Sequence, residues 1–532
     1  MGELLHHLIR DSAATAGAAP ALHHRNDSLS YPALWEAVQG CARGLAGLGL
    51  ERAERLAVYL PKQFETVIGL FGTAAAGGAF VPVNPVLKPA QVGYILQNAG
   101  ARVLITTLER ARLLTDVLAG CHDLRWLVVV GGDPAELPPA VARLALRWDD
   151  LLAGRLGSAA PRRRIDTDMA AILYTSGSTG HPKGVVLSHR NMVAGARAVA
   201  EYLENAASDR LLAVLPFSFD YGLSQLTTAF AVGASVALLE YLLPRDVVNA
   251  VARQRITGLA AVPPLWNQLA RLEWPAEAAA SLRYITNSGG AMPRPTTAAL
   301  RETLPQTRIY LMYGLTEAFR STYLPPDQVD VRPDSIGKAI PNTEILVVRE
   351  DGTECAPGEP GELVHRGALV GLGYWNDPGK TAERYRPAPG QPPELPNPEI
   401  AVWSGDQVRC DAEGFLYFVS RKDEMIKTSG YRVSPTEIEE VVYATGLAAQ
   451  AAAVGVPHPI IGQAVVVIVQ PSQAPLDVEA VLAHCRRELP TFMVPALVVE
   501  REELPRNQNG KIDRKALAAE FADRYADAEA VP

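Results

Sequence analysis

The stretch Tyr174-Thr175-Ser176-Gly177-Ser178-Thr179-Gly180-His181-Pro182-Lys183-Gly184 holds the densest chemistry in the chain. It follows an apolar run, Ala170 to Tyr174, without a break. Small hydroxyl residues and glycines let successive backbone N–H groups turn inward as an anion nest. The hydroxyls add donors and Lys183 adds a point charge, so phosphate is the natural guest. The stretch is not a Walker A loop, because Pro182 stands where that loop needs the glycine before its lysine. A Gly/Ser linker is a poor reading, since linkers do not abut a buried strand and end in Pro-Lys.

Two further clusters follow apolar runs. Ser288-Gly289-Gly290-Ala291 comes after Tyr284, and Tyr313-Gly314-Leu315-Thr316-Glu317 comes after Ile309. Glycines at a strand end let a planar base approach the backbone, and an aromatic offers a stacking face. Thr316 and Glu317 supply hard oxygens suited to magnesium, which takes one or two carboxylates plus phosphate oxygens. Alone, Tyr-Gly-x-Thr-Glu reads as a helix start capped by Thr316; beside the first stretch it reads as part of a nucleotide site. Downstream lie Trp403-Ser404-Gly405-Asp406, Arg421-Lys422-Asp423 and Asn509-Gly510-Lys511-Ile512-Asp513. An Asp after a glycine turn is a turn former or a grip on a ribose diol. Lys511 by itself reads as a surface lysine.

Strands must carry these loops. Arg102–Thr106, Leu127–Val130, Ala170–Tyr174, Leu211–Leu215, Val236–Leu239, Leu259–Val262, Tyr284–Thr286 and Ile309–Met312 read as short apolar strands. Amphipathic stretches, such as a helix over Leu108–Leu118, alternate with them. Apolar strands alternating with helices imply a parallel sheet covered on both faces, with ligands at the carboxyl ends. From about Ser335 hairpin-like segments appear, Glu344–Arg349 and Gly361–His365, and Pro387–Pro398 reads as an exposed loop. After Ser420 a second compositional block runs to Pro532, with the boundary near Arg421 to Asp423. No repeat of solenoid length is present.

The 532 residues are 48 % hydrophobic and 20 % charged, which excludes disordered, collagenous and coiled-coil chains. A net charge of -8 provides no bulk field for coating a nucleic acid. Cys41, Cys121, Cys355, Cys410 and Cys485 show no metal-ligand spacing, and their odd, sparse count points to small buried thiols in a reducing compartment. His6, His7, Arg10 and Asp11 interrupt any signal-peptide core, and no apolar run spans a bilayer. A cytoplasmic protein without a membrane span is expected.

With these residues in this order, the chain resembles the AMP-forming adenylating superfamily: acyl-CoA synthetases, adenylation domains of nonribosomal peptide synthesis and luciferases. The resemblance covers nearly the whole chain. It implies an α/β protein whose large N-terminal domain, residues 1–420, holds two doubly wound α/β subdomains plus a distorted β-barrel. A small mobile C-terminal α+β domain, 421–532, would follow a hinge near Asp423. It further implies ATP, magnesium and a thiol from CoA or a carrier-protein phosphopantetheine.

Carried over residue by residue, Thr175 to Lys183 would be the phosphate loop, with Thr175, Ser176, Gly177, Ser178, Thr179 and Gly180 cradling ATP. Ser288, Gly289, Gly290 and Ala291 would line the adenine and acyl pockets, Tyr313 would stack on adenine, and Gly314 would also border the nucleotide. Thr316 would contact the α-phosphate and Glu317 would hold magnesium. Asp406 would take the ribose hydroxyls beside Arg421. Lys511 would reach from the small domain to substrate oxygens, and Ser429 with Gly430 would border the pantetheine tunnel. No protein nucleophile is required, in keeping with the lack of a Gly-x-Ser-x-Gly elbow.

Departures from the family pattern bear on the acid. In Leu215-Pro216-Phe217-Ser218-Phe219-Asp220-Tyr221-Gly222-Leu223, Phe219 replaces a histidine of many acyl-CoA synthetases. Asp220 falls where amino-acid-activating domains pair an aspartate with the substrate ammonium. A buried carboxylate against a fatty chain is costly unless paired, so Asp220 hints at a polar acid; a structural Asp is the competing reading. Phe219, Asp220, Tyr221 and Ser288 are the candidate acid contacts. Arg320 reads as a surface arginine, or as a partner for Asp220 or a second carboxylate. Gln407 after Asp406 and Ser420 before Arg421 also depart from the pattern without removing a catalytic group. Together with Phe80-Val81-Pro82-Val83-Asn84-Pro85, the Phe219 segment resembles, more loosely, AMP-forming ligases found beside bacterial exosortase systems.

An AMP-forming acyl-CoA ligase is therefore the leading expectation. The runner-up is a stand-alone amino-acid-activating ligase that loads an acyl or peptidyl carrier protein. A silent nucleotide-binding homologue has no need for Lys183, Glu317, Asp406, Arg421 and Lys511 together, and a luciferase-like oxygenase shares the same motifs. Monomer and homodimer both stay open.

Overall fold

The computed structural model describes residues 3–155, 157, 159–175, 182–290, 292, 294–421, 425–505 and 512–526. Three sheets of fourteen, eight and five strands organise them. In the eight-stranded sheet the strands Met169–Thr175, Ala79–Pro82, Arg55–Tyr59, Ala101–Thr107, Trp126–Val130 and Ala145–Arg147 run parallel, as their apolar runs imply. Its other edge departs from the parallel expectation. Lys183–Ser188 pairs antiparallel with Met169–Thr175, and the two-residue strand Gly373–Tyr374 pairs antiparallel with Lys183–Ser188.

The fourteen-stranded sheet changes character along its length. Ser235–Leu238, Arg210–Ala213, Gly258–Ala261, Tyr284–Asn287 and Arg308–Tyr313 are parallel neighbours. From Thr322–Leu324 onward every pairing is antiparallel, through Ser335–Ala339 and Leu416–Arg421 to Ile400–Cys410, Pro360–Gly367 and Thr343–Val348. This antiparallel end occupies the region where a distorted barrel is expected. The five-stranded sheet belongs to the last block, pairing Gly462–Pro471 with Ala448–His458, Ile426–Thr428 and Leu497–Glu500. That block packs a core of its own, including Ile426, Ile438, Val442, Val467 and Cys485.

Local chemistry explains the elements nearest the site. Ser188 caps the helix His189–Tyr202 in a capping box with Asn191, satisfying end donors that the helix itself leaves open. The helix Asp220–Val232 buries Leu223, Leu226 and Phe230 completely. Each such side chain contributes about 2 kcal/mol by area, which anchors Asp220 at the first turn. Gly222 is required there, because a Cβ would overlap the Pro216 carbonyl. The single helix expected over Leu108–Leu118 is two pieces, Leu108–Leu113 and Thr115–Leu118, the first capped by the Thr107 hydroxyl.

Candidate active site

The antiparallel pairing of Met169–Thr175 with Lys183–Ser188 makes the glycine-rich stretch the connection of a hairpin. Thr175 stands opposite Lys183 in register. Lys183 lies over the Tyr374 ring, with its Nζ 4.7 Å from the centroid. The Tyr374 hydroxyl donates to Glu317 Oε1 at 2.6 Å. One tyrosine thus ties the cation at the hairpin exit to the carboxylate after the Arg308–Tyr313 strand. Burial pushes the Glu317 carboxyl up, but the Tyr374 hydroxyl and then Lys183 outweigh it, so its pKa is lowered. Burial and the facing Glu317 raise the Tyr374 phenol, so it stays a donor.

Thr316–Ala318 forms one turn of 3₁₀ helix rather than the start of a capped helix. The Thr316 hydroxyl donates to Asp220 Oδ1 at 3.3 Å. Phe319 follows with φ +57°, a conformation that costs a non-glycine residue energy and clusters at functional sites. The consequence is that Arg320 turns inward. It is 2 % exposed, which corrects the surface reading, and its Nη1 meets Asp220 Oδ2 at 2.7 Å. Asp220 therefore has two protein partners in the buried wall. Next to it the Tyr221 hydroxyl bonds the Thr286 hydroxyl at 2.5 Å.

At the far side Tyr313 donates to Asp406 Oδ2 at 2.6 Å, and Asp406 stands opposite Arg421 across the Ile400–Cys410 and Leu416–Arg421 strands. The Asp406 amide donates to the Ser404 hydroxyl at 3.0 Å, and instead of the expected glycine turn Gly405 lies inside the Ile400–Cys410 strand, where the register with Pro360–Gly367 shifts.

A cavity of ≈ 180 Å³ gathers these pieces. Thr175, Lys183, Phe219, Asp220, Tyr221, Ser288, Gly289, Gly314, Thr316, Glu317 and Gly430 all line it. Tyr313, Gly290, Asp406 and Ser429 do not, although Ser404 does. The last block closes one side with Tyr431, Arg432, Glu437, Phe492 and Met493. A second cavity of ≈ 230 Å³, which Ser429 lines, shares Pro82, Asn84, Ser218, Phe219, Gly430 and Tyr431 with the first. Gly430 sits at this junction with φ +81°, and a Cβ there would lie 2.6 Å from Val262 Cγ2. Ser176 to Gly180, Ala291, Asp423 and Lys511 lie outside the described residues, as does the Arg421 side chain.

Sequence reasoning missed Tyr374 and Glu437. The signal for Tyr374 was Gly371-Leu372-Gly373-Tyr374: a Cβ on Gly371 would come within 3.0 Å of the Glu317 carbonyl, and Gly373 has φ +120°. Glu437 accepts from Gln91 Nε2 at 3.3 Å, bridging the helices Pro435–Ala444 and Pro89–Ala99. Burial pushes its carboxyl up to about 7. Nothing local in the sequence marks a contact across that distance.

Among the described residues no group of three or more His, Cys, Asp and Glu forms a metal site. Glu317 with its neighbour Thr316 still fits magnesium, which is held largely by phosphate oxygens and needs only one or two carboxylates. No described helix is long and apolar enough to cross a membrane.

The hairpin with its lysine and the tyrosine-held glutamate converge on one cavity, with Ser404 of the Ile400–Cys410 strand lining it and Asp406 just behind in sequence, and comparison with known proteins agrees. Residues 9–375 match the AMP-binding enzyme family, and residues 437–511 match its C-terminal domain. The chain belongs to the AMP-binding enzyme family. A long-chain-fatty-acid–CoA ligase of Escherichia coli O157:H7 is 31 % identical, covering 96 % of this chain and 94 % of that protein. An L-proline–[L-prolyl-carrier protein] ligase of Streptomyces coelicolor is 34 % identical, covering 98 % and 97 %. The o-succinylbenzoate CoA synthetase of Bacillus subtilis, at 22 % identity, shares the fold with a TM-score of 0.83 over 98 % of this chain and 99 % of its own. The expected two-domain α/β architecture is thus the family's.

Proposed function

We propose that this family member is an AMP-forming acid–thiol ligase that works as an acyl-CoA ligase. ATP and a carboxylic acid would form an acyl-adenylate with release of pyrophosphate, and a thiol would then displace AMP to give a thioester. The observation that carries this reading is the Lys183–Tyr374–Glu317 bracket beside the hairpin connection. A carboxylate attacking the α-phosphate brings two anions together, so catalysis consists of neutralising charge and aligning the reactants. Lys183 and Thr175 would take the β- and γ-phosphates, and Thr316 the α-phosphate. Magnesium, when bound through Glu317, supplies positive charge to the triphosphate. Tyr374 keeps the Glu317 carboxylate oriented and ionised. Asp406, set by Tyr313, would take the ribose.

The family match supports a boundary after residue 420 with a hinge at Asp423, and Lys511 as the lysine that the C-terminal domain delivers for adenylation. The second cavity, opening at Gly430, suits the pantetheine arm of CoA or of a carrier protein. Carrier-protein loading is a second reading, favoured by Asp220 in the cavity wall and by the carrier-protein ligase among the relatives. ATP–pyrophosphate exchange with fatty, aryl and amino acids tests the first step. Repeating each active acid with CoA and with a phosphopantetheinylated carrier protein tests the second. No acid-dependent exchange would overturn the ligase reading; exchange followed by transfer to carrier protein alone would move the acceptor.

A further inference from the structure

The acid-side wall contains an arginine with an unused edge. Arg320 Nη1 is spent on Asp220 Oδ2 at 2.7 Å and the Phe319 carbonyl at 3.0 Å. Its Nε and Nη2 are buried and find no partner among the described residues. Nε and Nη2 are the side-on fork of a guanidinium, whose two parallel N–H bonds match a pair of oxygens. This chain uses the same edge on carboxylates elsewhere, as two pairs show. Arg190 grips Asp166 through Nε at 2.9 Å and Nη2 at 3.1 Å. Arg283 grips Asp209 through Nε at 3.2 Å and Nη2 at 2.7 Å.

The setting rules out an idle surface group. Arg320 and Asp220 both line the cavity with Phe219, Tyr221 and Ser288, and the Arg320 guanidinium stacks 4.8 Å from the Tyr221 ring centroid. A pocket for a plain alkyl chain gains nothing from a buried ion pair, since apolar side chains of similar volume do as well or better. Buried donors left unpaired carry their full desolvation cost, and a methylene chain offers no acceptor to relieve it.

Resting on the ligase reading, we infer that the acid accepted here carries a second oxygen acceptor on its acyl part, bound by the Nε and Nη2 edge of Arg320. A second carboxylate engages both donors at once. A carboxamide or keto oxygen engages them without adding charge beside Asp220, which already neutralises the arginine. Asp220 is then a positioning residue that holds Arg320 by its other nitrogen.

The test uses the full-length enzyme and ATP–pyrophosphate exchange with a length series of dicarboxylic acids, each beside its monoamide and its terminally branched alkyl isostere. At the best length the diacid or the monoamide should exceed the isostere in kcat/KM by about 100-fold, the size expected when hydrogen bonds to a charged donor are lost. The better of the two identifies the acceptor. Arg320→Lys keeps a charge for Asp220 and loses the fork; it should collapse that ratio to about 5-fold or less while leaving the KM for ATP unchanged. Arg320→Leu should do the same where it folds, read by its melting curve. Alkyl isosteres that match or beat the polar acids at every length overturn the inference and leave the ligase reading standing. Loss of exchange with every acid, with ATP binding intact by calorimetry, overturns both.

Discussion

The two ends of the cavity handle buried charge in different ways. At the phosphate end a cation and a carboxylate meet on one tyrosine, Lys183 over its ring and Glu317 on its hydroxyl. At the acid end Asp220 and Arg320 are in direct contact. The first arrangement holds two charges ready for a ligand that brings several charges of its own. The second is a closed pair whose net charge is zero, and whatever it offers a ligand comes from leftover hydrogen-bonding capacity. Under the proposed function, chemistry common to all substrates would belong with the first and discrimination among acids with the second, because only the acid differs from one substrate to another.

Breaking the phosphate end should have the largest effect. Lys183→Ala is expected to lower acid-dependent pyrophosphate exchange by about 100- to 1000-fold, the usual loss when one preorganised charge stabiliser is removed, with an unchanged melting curve. Lys511→Ala should lower adenylation by about 100-fold yet leave thioester formation from a synthetic acyl-adenylate near its normal rate. Adenylation surviving at the normal rate would remove Lys511 from that step. The acid end should answer in stability instead. Asp220→Ala strands a buried guanidinium and should cost about 3–5 kcal/mol in denaturant unfolding, whereas Asp220→Ala with Arg320→Leu should recover most of that. Tyr374→Phe sharpens the contrast at smaller scale. Losing a hydrogen bond to a charged group costs about 1.5–3 kcal/mol, so exchange should fall roughly tenfold or more and require more magnesium, with no change in preference among acids.

The smallest effect concerns the wall between the two ends. Burial raises the Glu437 carboxyl from 4.5 to about 7, with Gln91 opposing that shift and Glu440 adding to it. A raised acid is favoured in its neutral form, so the burial of Glu437 against the Pro89–Ala99 helix contributes its full stability below the ordinary carboxylate range. That contribution falls as pH rises from 4.5 through about 7. Hydrogen exchange of the Pro435–Ala444 helix should speed up across that window, and Glu437→Gln should flatten the response. The Tyr94 phenol is raised in turn by burial, by Asp377 and by Glu437.

Much of this was legible beforehand. The apolar runs Tyr284–Thr286, Ile309–Met312 and Ala170–Tyr174 marked strands within a residue or two of Tyr284–Asn287, Arg308–Tyr313 and Met169–Thr175, because a strand buried on both faces is apolar throughout. The motif residues Thr175, Lys183, Thr316 and Glu317 do reach one cavity. Less legible was direction: nothing in Lys183–Ser188 announces an antiparallel partner, since the same apolar pattern suits either orientation. Thr316 looked like a helix cap because its local sequence suits one, yet its hydroxyl is used 96 residues away.

Residue types and their order determined the family, the nucleotide chemistry and the sheet-based architecture, because nests, caps and apolar periodicity are short-range properties. Tertiary structure alone decided that Arg320 turns inward onto a residue 100 positions earlier. It also decided that Tyr374 links Lys183 to Glu317, and that Glu437 closes the cavity against Gln91. Those pairings depend on which surfaces meet after the sheets have packed, and no spacing along the chain encodes that meeting.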